Sequence, residues 1–328
     1  FRVGVPLSEY TSLIGRYTFN HDNITLDEDQ FFADTDGDGV RECEPLIAGR
    51  YLCEAIGKRT SSIVGLSLVY NNLDSRLRPT RGQTASATVD FAGLGGSTRY
   101  VRLTTNAAQF WPLGGGFIFS LRGEAGVIKG LKDRGPGVTD VLLTDRFFLG
   151  EPQIRGFDLR GVGPRVIRRF YTQDEEGNVV LTPLDDDRAS THDALGGTAY
   201  YLGKAEIEIP LGSGARELGL RPSIFLDVGS VFGIVDPPLL DFPDGHREPR
   251  RNEAGQPLYV GEGGTVTTSP TRVVDGNTVE NTPLYSINLP AFREEFYGDT
   301  PKPRVSVGIG VNWNSPFSLM LLSMRYCI

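Results

Sequence analysis

Apolar and polar residues alternate along much of this chain with a period of two. Between residues 117 and 127, Phe119 and Leu121 share one face of an extended chain, while Arg122 and Glu124 share the other. The same alternation recurs in three further segments, at 199–210, 222–232 and 304–314. A period of two predicts β-strands that have one apolar and one polar face.

The alternating segments and the turn residues between them predict about ten strands. We place these strands at about 1–6, 10–22, 61–72, 83–93, 98–111, 117–128, 198–209, 222–233 and 304–314, with a weaker tenth pattern at 317–326.

The connections between these strands are of two kinds. Turns such as 78–82 are short, whereas the connections at about 23–60, 130–197 and 235–302 are long, with 92–97 as a brief exception among the long ones. Outer-membrane barrels have short periplasmic turns and longer extracellular loops, whereas a soluble sandwich has no reason for this difference. The sequence therefore predicts an all-β fold, an antiparallel transmembrane β-barrel whose apolar face meets lipid and whose polar face lines a wet lumen.

Composition narrows the class of protein further. The chain has 328 residues, a net charge of −8 and 39% hydrophobic residues. The negative charge argues against a nucleic-acid surface, and no apolar run approaches the roughly 18 residues of a membrane-spanning helix. No signal peptide is visible, and Phe1 already opens a strand-like segment, so we expect the chain to start within a domain.

One long connection contains an unusual segment at residues 146–165, with the sequence RFFLGEPQIRGFDLRGVGPR. At its centre, Ile154, Arg155, Gly156 and Phe157 place a cation and an aromatic ring on either side of a glycine. A loop this long inside a regular strand pattern is usually functional or disordered. The arginine, glycine and aromatic content does not suit a solvated tether, so these four residues form a candidate functional motif.

The motif is one of several segments that occur together in a fixed order. The others are RPTRG at 78–82, AGLGG at 92–96, DALGG at 193–197, FLDVGSVF at 225–232 and GIGVNWNSP at 308–316. With these segments the chain resembles the BamA insertases, which fold other barrels into the outer membrane, over nearly its whole length up to Phe317. The resemblance implies that residues 1–328 are a partial barrel domain with about ten of roughly sixteen strands. It also implies that the periplasmic domains lie outside the chain and that the tail after Phe317 departs from the family pattern.

The resemblance also implies a contact for the motif. In the family, the loop folds into the lumen, and its arginine bonds acidic residues on the inner wall. Here that arginine is Arg155 and its wall partners are Asp227 and Glu206, with Glu208 on the same face as the alternative to Glu206. The alternation independently places these carboxylates on the lumen face, although they would also suit a plain lining of a wet lumen.

The first long connection contains an acidic turn, DTDGDG at 34–39. Asp34, Asp36 and Asp38 have the spacing with which calcium loops open, and they define a candidate calcium site. The twelfth position of such a loop, normally a bidentate glutamate, is Pro45 here. The pattern favours a solvated acidic turn, and no cofactor other than calcium is indicated.

Two of the three cysteines, Cys43 and Cys53, lie in the same connection. On the extracellular side of an oxidising envelope they form a candidate disulfide, with free thiols or a pairing with Cys327 as the alternatives. Such a disulfide would constrain the conformation of this loop and would not contribute to a hydrophobic core.

The reactive side chains argue against an enzyme. The three histidines, His21, His192 and His246, lie in or beside loops and far apart in the sequence. The chain also has no zinc-protease, P-loop or nucleophile-elbow motif. We therefore expect no enzymatic activity.

The resemblance implies a protein that helps nascent β-barrel proteins enter the outer membrane of a Gram-negative bacterium. Its implied partners are those barrel proteins, the lipid bilayer, and assembly-complex lipoproteins that bind mainly through the periplasmic domains. A polypeptide-secretion pore of the same superfamily is the first alternative, and a passive porin is the second.

Overall fold

Ten strands of the chain form one antiparallel sheet in which each strand pairs with its neighbour in sequence order. The computed structural model describes residues 1–34, 38–184, 190–211, 220–252, 254–314 and 321–327. The ten strands are β1 (Arg2–Pro6), β2 (Thr11–Ile24), β3 (Gly57–Asn71), β4 (Gly82–Gly96), β5 (Tyr100–Gly114), β6 (Phe117–Gly130), β7 (Ala199–Glu208), β8 (Leu220–Phe232), β9 (Arg304–Asn314) and β10 (Leu321–Cys327).

The sheet agrees with the number of strands predicted from the sequence, and the differences lie at strand ends. Strand β4 runs to Gly96, so the segment 92–97 that was predicted as a brief loop is mostly strand, because Gly96 pairs with Ser61 of β3. Strand β10 lies at Leu321–Cys327 and not at 317–326, and residues 315–320 fall outside the described part. Strands β1 and β10 are the two edges, so the sheet is open.

The alternation separates the two faces of the sheet as the sequence predicts. On β8, the side chain of Asp227 is fully buried, whereas that of its neighbour Leu226 is 44% exposed. Leu226 pairs with Val307 of β9, which is also exposed, so an apolar surface continues across these strands. We call the face of Asp227 the inner face and the face of Leu226 the outer face.

Part of the connection at 131–198 folds back against the inner face, and we call this connection the inner loop. Its Leu149, Ile154 and Val162 form one buried cluster with Leu202 of β7 and Val231 of β8. Burial of apolar side chains at about 25 cal/mol per Å² is the main term that holds a loop to a wall. The loop is therefore part of the core of the molecule.

The three long connections also carry short elements of their own. The helices are α1 (Glu28–Phe31), α2 (Pro45–Ala48), α3 (Arg50–Ala55) and two 3₁₀ turns at Leu143–Asp145 and Glu262–Gly264. The short strands are Phe32–Ala33, Glu42–Cys43, Arg165–Gln173, Val179–Leu181, Ser190–Ala194, Asp241–Phe242, His246–Pro249, Tyr259–Val260, Val266–Thr267, Thr271–Val274, Asn277–Glu280, Thr282–Pro283, Tyr285–Leu289 and Phe292–Tyr297.

Two of these connections share a small sheet at the end of the molecule where the long connections lie, which we call the long-loop end. Arg165–Gln173 of the inner loop pairs with Phe292–Tyr297 of the β8–β9 connection. Across this pair, Arg168 Nη2 lies 3.0 Å from a carboxylate oxygen of Glu294, and Arg168 Nη1 donates to the carbonyl of Leu46, 3.1 Å away in the β2–β3 connection. Arg168 therefore joins all three long connections.

Among the described residues, the helices are too short and too polar for any of them to cross a bilayer.

Candidate functional site on the inner wall

Arg155 of the inner loop binds the carboxylate of Asp227 on the inner face of the sheet. Its Nε donates to Asp227 Oδ2 at 2.7 Å, and its Nη2 donates to Asp227 Oδ1 at 2.5 Å. The backbone N–H of Arg155 adds a third bond to Asp227 Oδ2 at 3.1 Å. The guanidinium therefore binds the carboxylate in the bidentate geometry that suits both groups.

Arg155 also reaches the neighbouring strand. Its Nη1 donates to Glu206 Oε2 on β7 at 3.2 Å, so the structure brings together Arg155, Asp227 and Glu206. Glu208, the alternative to Glu206, lies elsewhere, with its Oε1 3.0 Å from Nη2 of Arg78. The two glutamates share the inner face of β7, but of the two only Glu206 is bonded to Arg155 of the inner loop.

A further wall contact, not expected from the sequence, is made by Phe225. The guanidinium carbon of Arg155 lies 3.6 Å from the centre of the Phe225 ring, and that ring is 1% exposed. A cation over an aromatic face gains free energy, and more so where both are shielded from water. The alternation had placed Phe225 on the inner face, but nothing local pairs it with a residue so distant in sequence.

Burial governs the electrostatics of this site. Removal from water opposes the charge on Arg155 and is the largest influence on its pKa, but the hydrogen bonds and charges of Asp227 and Glu206 outweigh it and raise the pKa above its usual value. Arg155 therefore stays charged at any physiological pH. Removing one member of such a buried pair leaves an uncompensated charge, which costs about 3–5 kcal/mol.

The residues beside Arg155 shape the loop. The backbone of Gly156 has a φ of +82°, in the left-handed region that favours glycine. Ile154 on the other side is fully buried, and Phe157 packs against the same apolar cluster. The four motif residues thus divide into two apolar contacts, one turn and one charged contact.

Asp145 makes a second charged contact of the inner loop, which was also not expected from the sequence. Its carboxylate accepts a short hydrogen bond from Arg59 of β3, and its backbone carbonyl accepts one from Arg102 of β5 at 2.6 Å. Burial raises the pKa of Asp145 although the positive charge of Arg59 acts in the opposite direction. The inner loop is therefore tied to both halves of the sheet.

The other candidate sites lie in the β2–β3 connection. Cys43 and Cys53 are joined by a disulfide with a Cα–Cα distance of 5.6 Å. Asp34 and Asp38 accept hydrogen bonds from the backbone amides of Gly39 and Val40, while Asp36 lies outside the described residues. Within the described ranges, no group of three or more histidine, cysteine or acidic side chains is placed to hold a metal ion.

An antiparallel sheet with an apolar outer face and a long loop bound to its inner face is typical of outer-membrane barrel proteins. Within that class, the chain belongs to the Omp85 superfamily, whose domain model matches residues 1–328. This confirms the family that the sequence resembles. It also agrees with the expectation that the chain is not an enzyme, because a relative in this family is named as an outer membrane protein assembly factor.

Two individual proteins align with parts of this chain. The chain is 30% identical over 215 residues to the outer membrane protein assembly factor BamA of Neorickettsia risticii (strain Illinois), covering 65% of this chain and 24% of that protein. It is 32% identical over 111 residues to a SAM50-like protein of Drosophila melanogaster, covering 34% of this chain and 24% of the relative. In both alignments, the match spans about a quarter of the relative's length.

A solved structure supports the fold. The crystal structure of BamA from Haemophilus ducreyi lacking POTRA domains 1–3 matches with a TM-score of 0.56 and 16% identity, over 100% of this chain and 49% of that one. At this identity the match shows the fold alone.

Proposed function

We propose that this chain is the barrel part of an outer-membrane protein assembly factor, which helps β-barrel proteins fold and insert into the outer membrane of a Gram-negative bacterium. The observation that carries the proposal is the triple contact of Arg155 with Asp227 on the inner wall. A porin has a water-filled lumen, whereas a buried charged contact here keeps a loop inside the barrel, as in barrels whose lumen is filled by a loop.

The contact supports a mechanical role for the inner loop. Arg155 bonds two adjacent strands, β7 through Glu206 and β8 through Asp227. A loop bonded to both strands holds their relative position, so the wall would open at another place. In the proposed mechanism, a nascent strand pairs with an exposed strand edge at that opening, which is the β-augmentation mode of recognition.

The proposed partners follow from this mechanism. Nascent barrel proteins would meet the strand edges, and lipid would meet the apolar outer face. Accessory lipoproteins of an assembly complex would act mainly through periplasmic domains of the full-length protein. The transmembrane barrel, of which residues 1–328 form a partial domain, is part of the same proposal.

The test is Arg155→Ala in the full-length gene product, with Arg160→Ala as the matched control. Arg160 lies in the same loop and stacks on Phe148 at 4.7 Å, and it forms no ion pair among the residues that the structure describes. We expect Arg155→Ala to lower the yield of other folded barrels in the outer membrane, while Arg160→Ala leaves it close to normal.

Normal barrel assembly with Arg155→Ala, at normal protein levels, would overturn the proposal. If assembly stayed normal while export of a dedicated polypeptide failed, the secretion-pore alternative would replace it. If only solute flux changed, the porin alternative would replace it.

A further inference from the structure

A second arginine contact, which the proposed function does not use, lies at the end of the sheet where the short turns join the strands. We call this end the short-turn end. Arg78 lies in the turn between β3 and β4, and its Nη2 is 3.0 Å from Glu208 Oε1 near the end of β7. In the order of the sheet, β5 and β6 stand between β4 and β7. Adjacent strands are about 4.8 Å apart, so the route along the sheet from β4 to β7 is about 14 Å.

A direct contact over this separation requires the turn to lie across the inner side of the curved sheet. Glu208 supplies the matching orientation, because it lies two residues from Glu206 and hence on the same, inner face of β7. The space beside the turn is lined by Arg78 and Thr80 of the turn and by Pro112, Glu208 and Pro210. The turn therefore lies over this end of the inner space and does not extend away from it.

The turn is built to hold this position. The carboxylate of Asp74 accepts hydrogen bonds from the backbone N–H of Thr80 at 2.9 Å, from its hydroxyl at 2.6 Å and from the N–H of Arg81 at 3.1 Å. Gly82 ends the turn with a φ of +102°, and a Cβ there would lie 2.5 Å from the carbonyl oxygen of Asn72. These contacts fix the base of the turn, and Arg78 fixes its tip.

We propose that the Arg78–Glu208 ion pair holds the β3–β4 turn across the short-turn end of the lumen and closes that end to ions. The inference rests on the proposed membrane barrel, but it does not depend on the assembly of other proteins. The ion pair of Arg78 and Glu208 is separate from the contacts of Arg155 with the wall.

The experiment is conductance in planar lipid bilayers with the purified full-length protein. The variants are Arg78→Ala, Glu208→Gln, the double variant, and the exchange Arg78→Glu with Glu208→Arg. Arg81→Ala is the matched control, because Arg81 lies in the same turn and its side chain has no ion-pair partner within the described ranges. Folding of each variant is checked by its heat-modifiable mobility on gels.

We expect each single variant to raise the open probability about two- to fivefold, the range for a partly exposed ion pair. The double variant should resemble the singles because both remove one interaction, and the exchange should return the open probability toward wild type. Arg81→Ala should behave as wild type.

Folded Arg78→Ala and Glu208→Gln proteins with wild-type conductance would overturn the closure and leave the proposed assembly role untouched. Additive effects of the two changes would also overturn it, since independent effects exclude a shared contact. A wild-type protein that forms neither channels nor a heat-modifiable folded state would overturn the membrane barrel itself and the closure with it.

Discussion

Asp227 accepts three hydrogen bonds from Arg155, and no part of the Asp227 side chain is exposed to solvent. The two residues are far apart in the sequence, so this contact closes a large part of the chain over the inner wall. Its geometry makes Asp227 the wall residue that fixes the position of Arg155.

We predict that Asp227→Asn destabilises the folded protein by about 3–5 kcal/mol, because it leaves the buried guanidinium without its main counter-charge. Asp227→Arg should be worse, because it places two cations in contact. The measurement is the temperature at which the folded, fast-migrating form is lost on gels. Asp158→Asn, at an exposed position of the inner loop, is the control, and an equal effect of both changes would contradict the role of Asp227.

We predict that Gly126→Ala loosens the inner loop, whereas Gly123→Ala on the same strand does not. A Cβ at Gly126 would lie 2.5 Å from the Tyr200 ring and 2.9 Å from the Phe147 ring of the inner loop, while nothing lies within 4 Å of a Cβ at Gly123. Such overpacking costs about 1–3 kcal/mol. Limited proteolysis of the inner loop measures the effect, and equal cleavage of the two variants would show that the rings adapt without cost.

A third prediction concerns acid. The hydroxyl of Thr80, and then the amides of Thr80 and Arg81, lower the pKa of Asp74 from 3.8 to about 2. Because the folded pKa is below the unfolded value, the charged carboxylate stabilises the turn above about pH 4, and this contribution is lost as the pH falls through about 2. Hydrogen-exchange protection of these two amides, corrected for the intrinsic pH dependence, should fall over that range.

In the Asp74→Asn variant this fall should be absent, and protection should be low throughout. Asp133→Asn, in a loop at the opposite end of the sheet, provides the comparison. A pH profile for Asp74→Asn that matches wild type would assign the effect to another group.

A fourth prediction concerns the disulfide between Cys43 and Cys53. Its loop contains α2, whose Leu46 carbonyl accepts the hydrogen bond from Arg168. Reduction should therefore raise protease cleavage within the β2–β3 connection while the heat-modifiable mobility of the sheet stays unchanged. Cys43→Ser should mimic reduction, and Cys327→Ser should not. Loss of the folded form on reduction would give the bridge a global role.

The strands and the two faces of the sheet could be predicted from the sequence because a period of two repeats over long stretches. The placement of Asp227 and Glu206 on the inner face followed from that period. Their pairing with Arg155 came from the family resemblance, since alternation gives a face but no partner.

Other features could not be predicted in this way. The shared sheet of Arg165–Gln173 and Phe292–Tyr297 joins short segments without a strong period, and its pairing depends on how two loops meet. The contacts of Phe225 and Arg78 are non-local. The first forms only when the inner loop folds back onto β8, and the second only when the sheet curves. The extension of β4 to Gly96 was hidden because glycine is a poor strand former, and pairing with β3 overrides that preference.

The spacing of Glu206 and Glu208 sets a limit on how this protein can change during evolution. Two residues advance a strand by about 6.8 Å. Over this distance β7 binds Arg155 of the long inner loop at Glu206 and Arg78 of a short turn at Glu208. A single-residue insertion between the two glutamates would turn one of them outward. Lineages of this protein should therefore tolerate length changes in the long connections but not within β7.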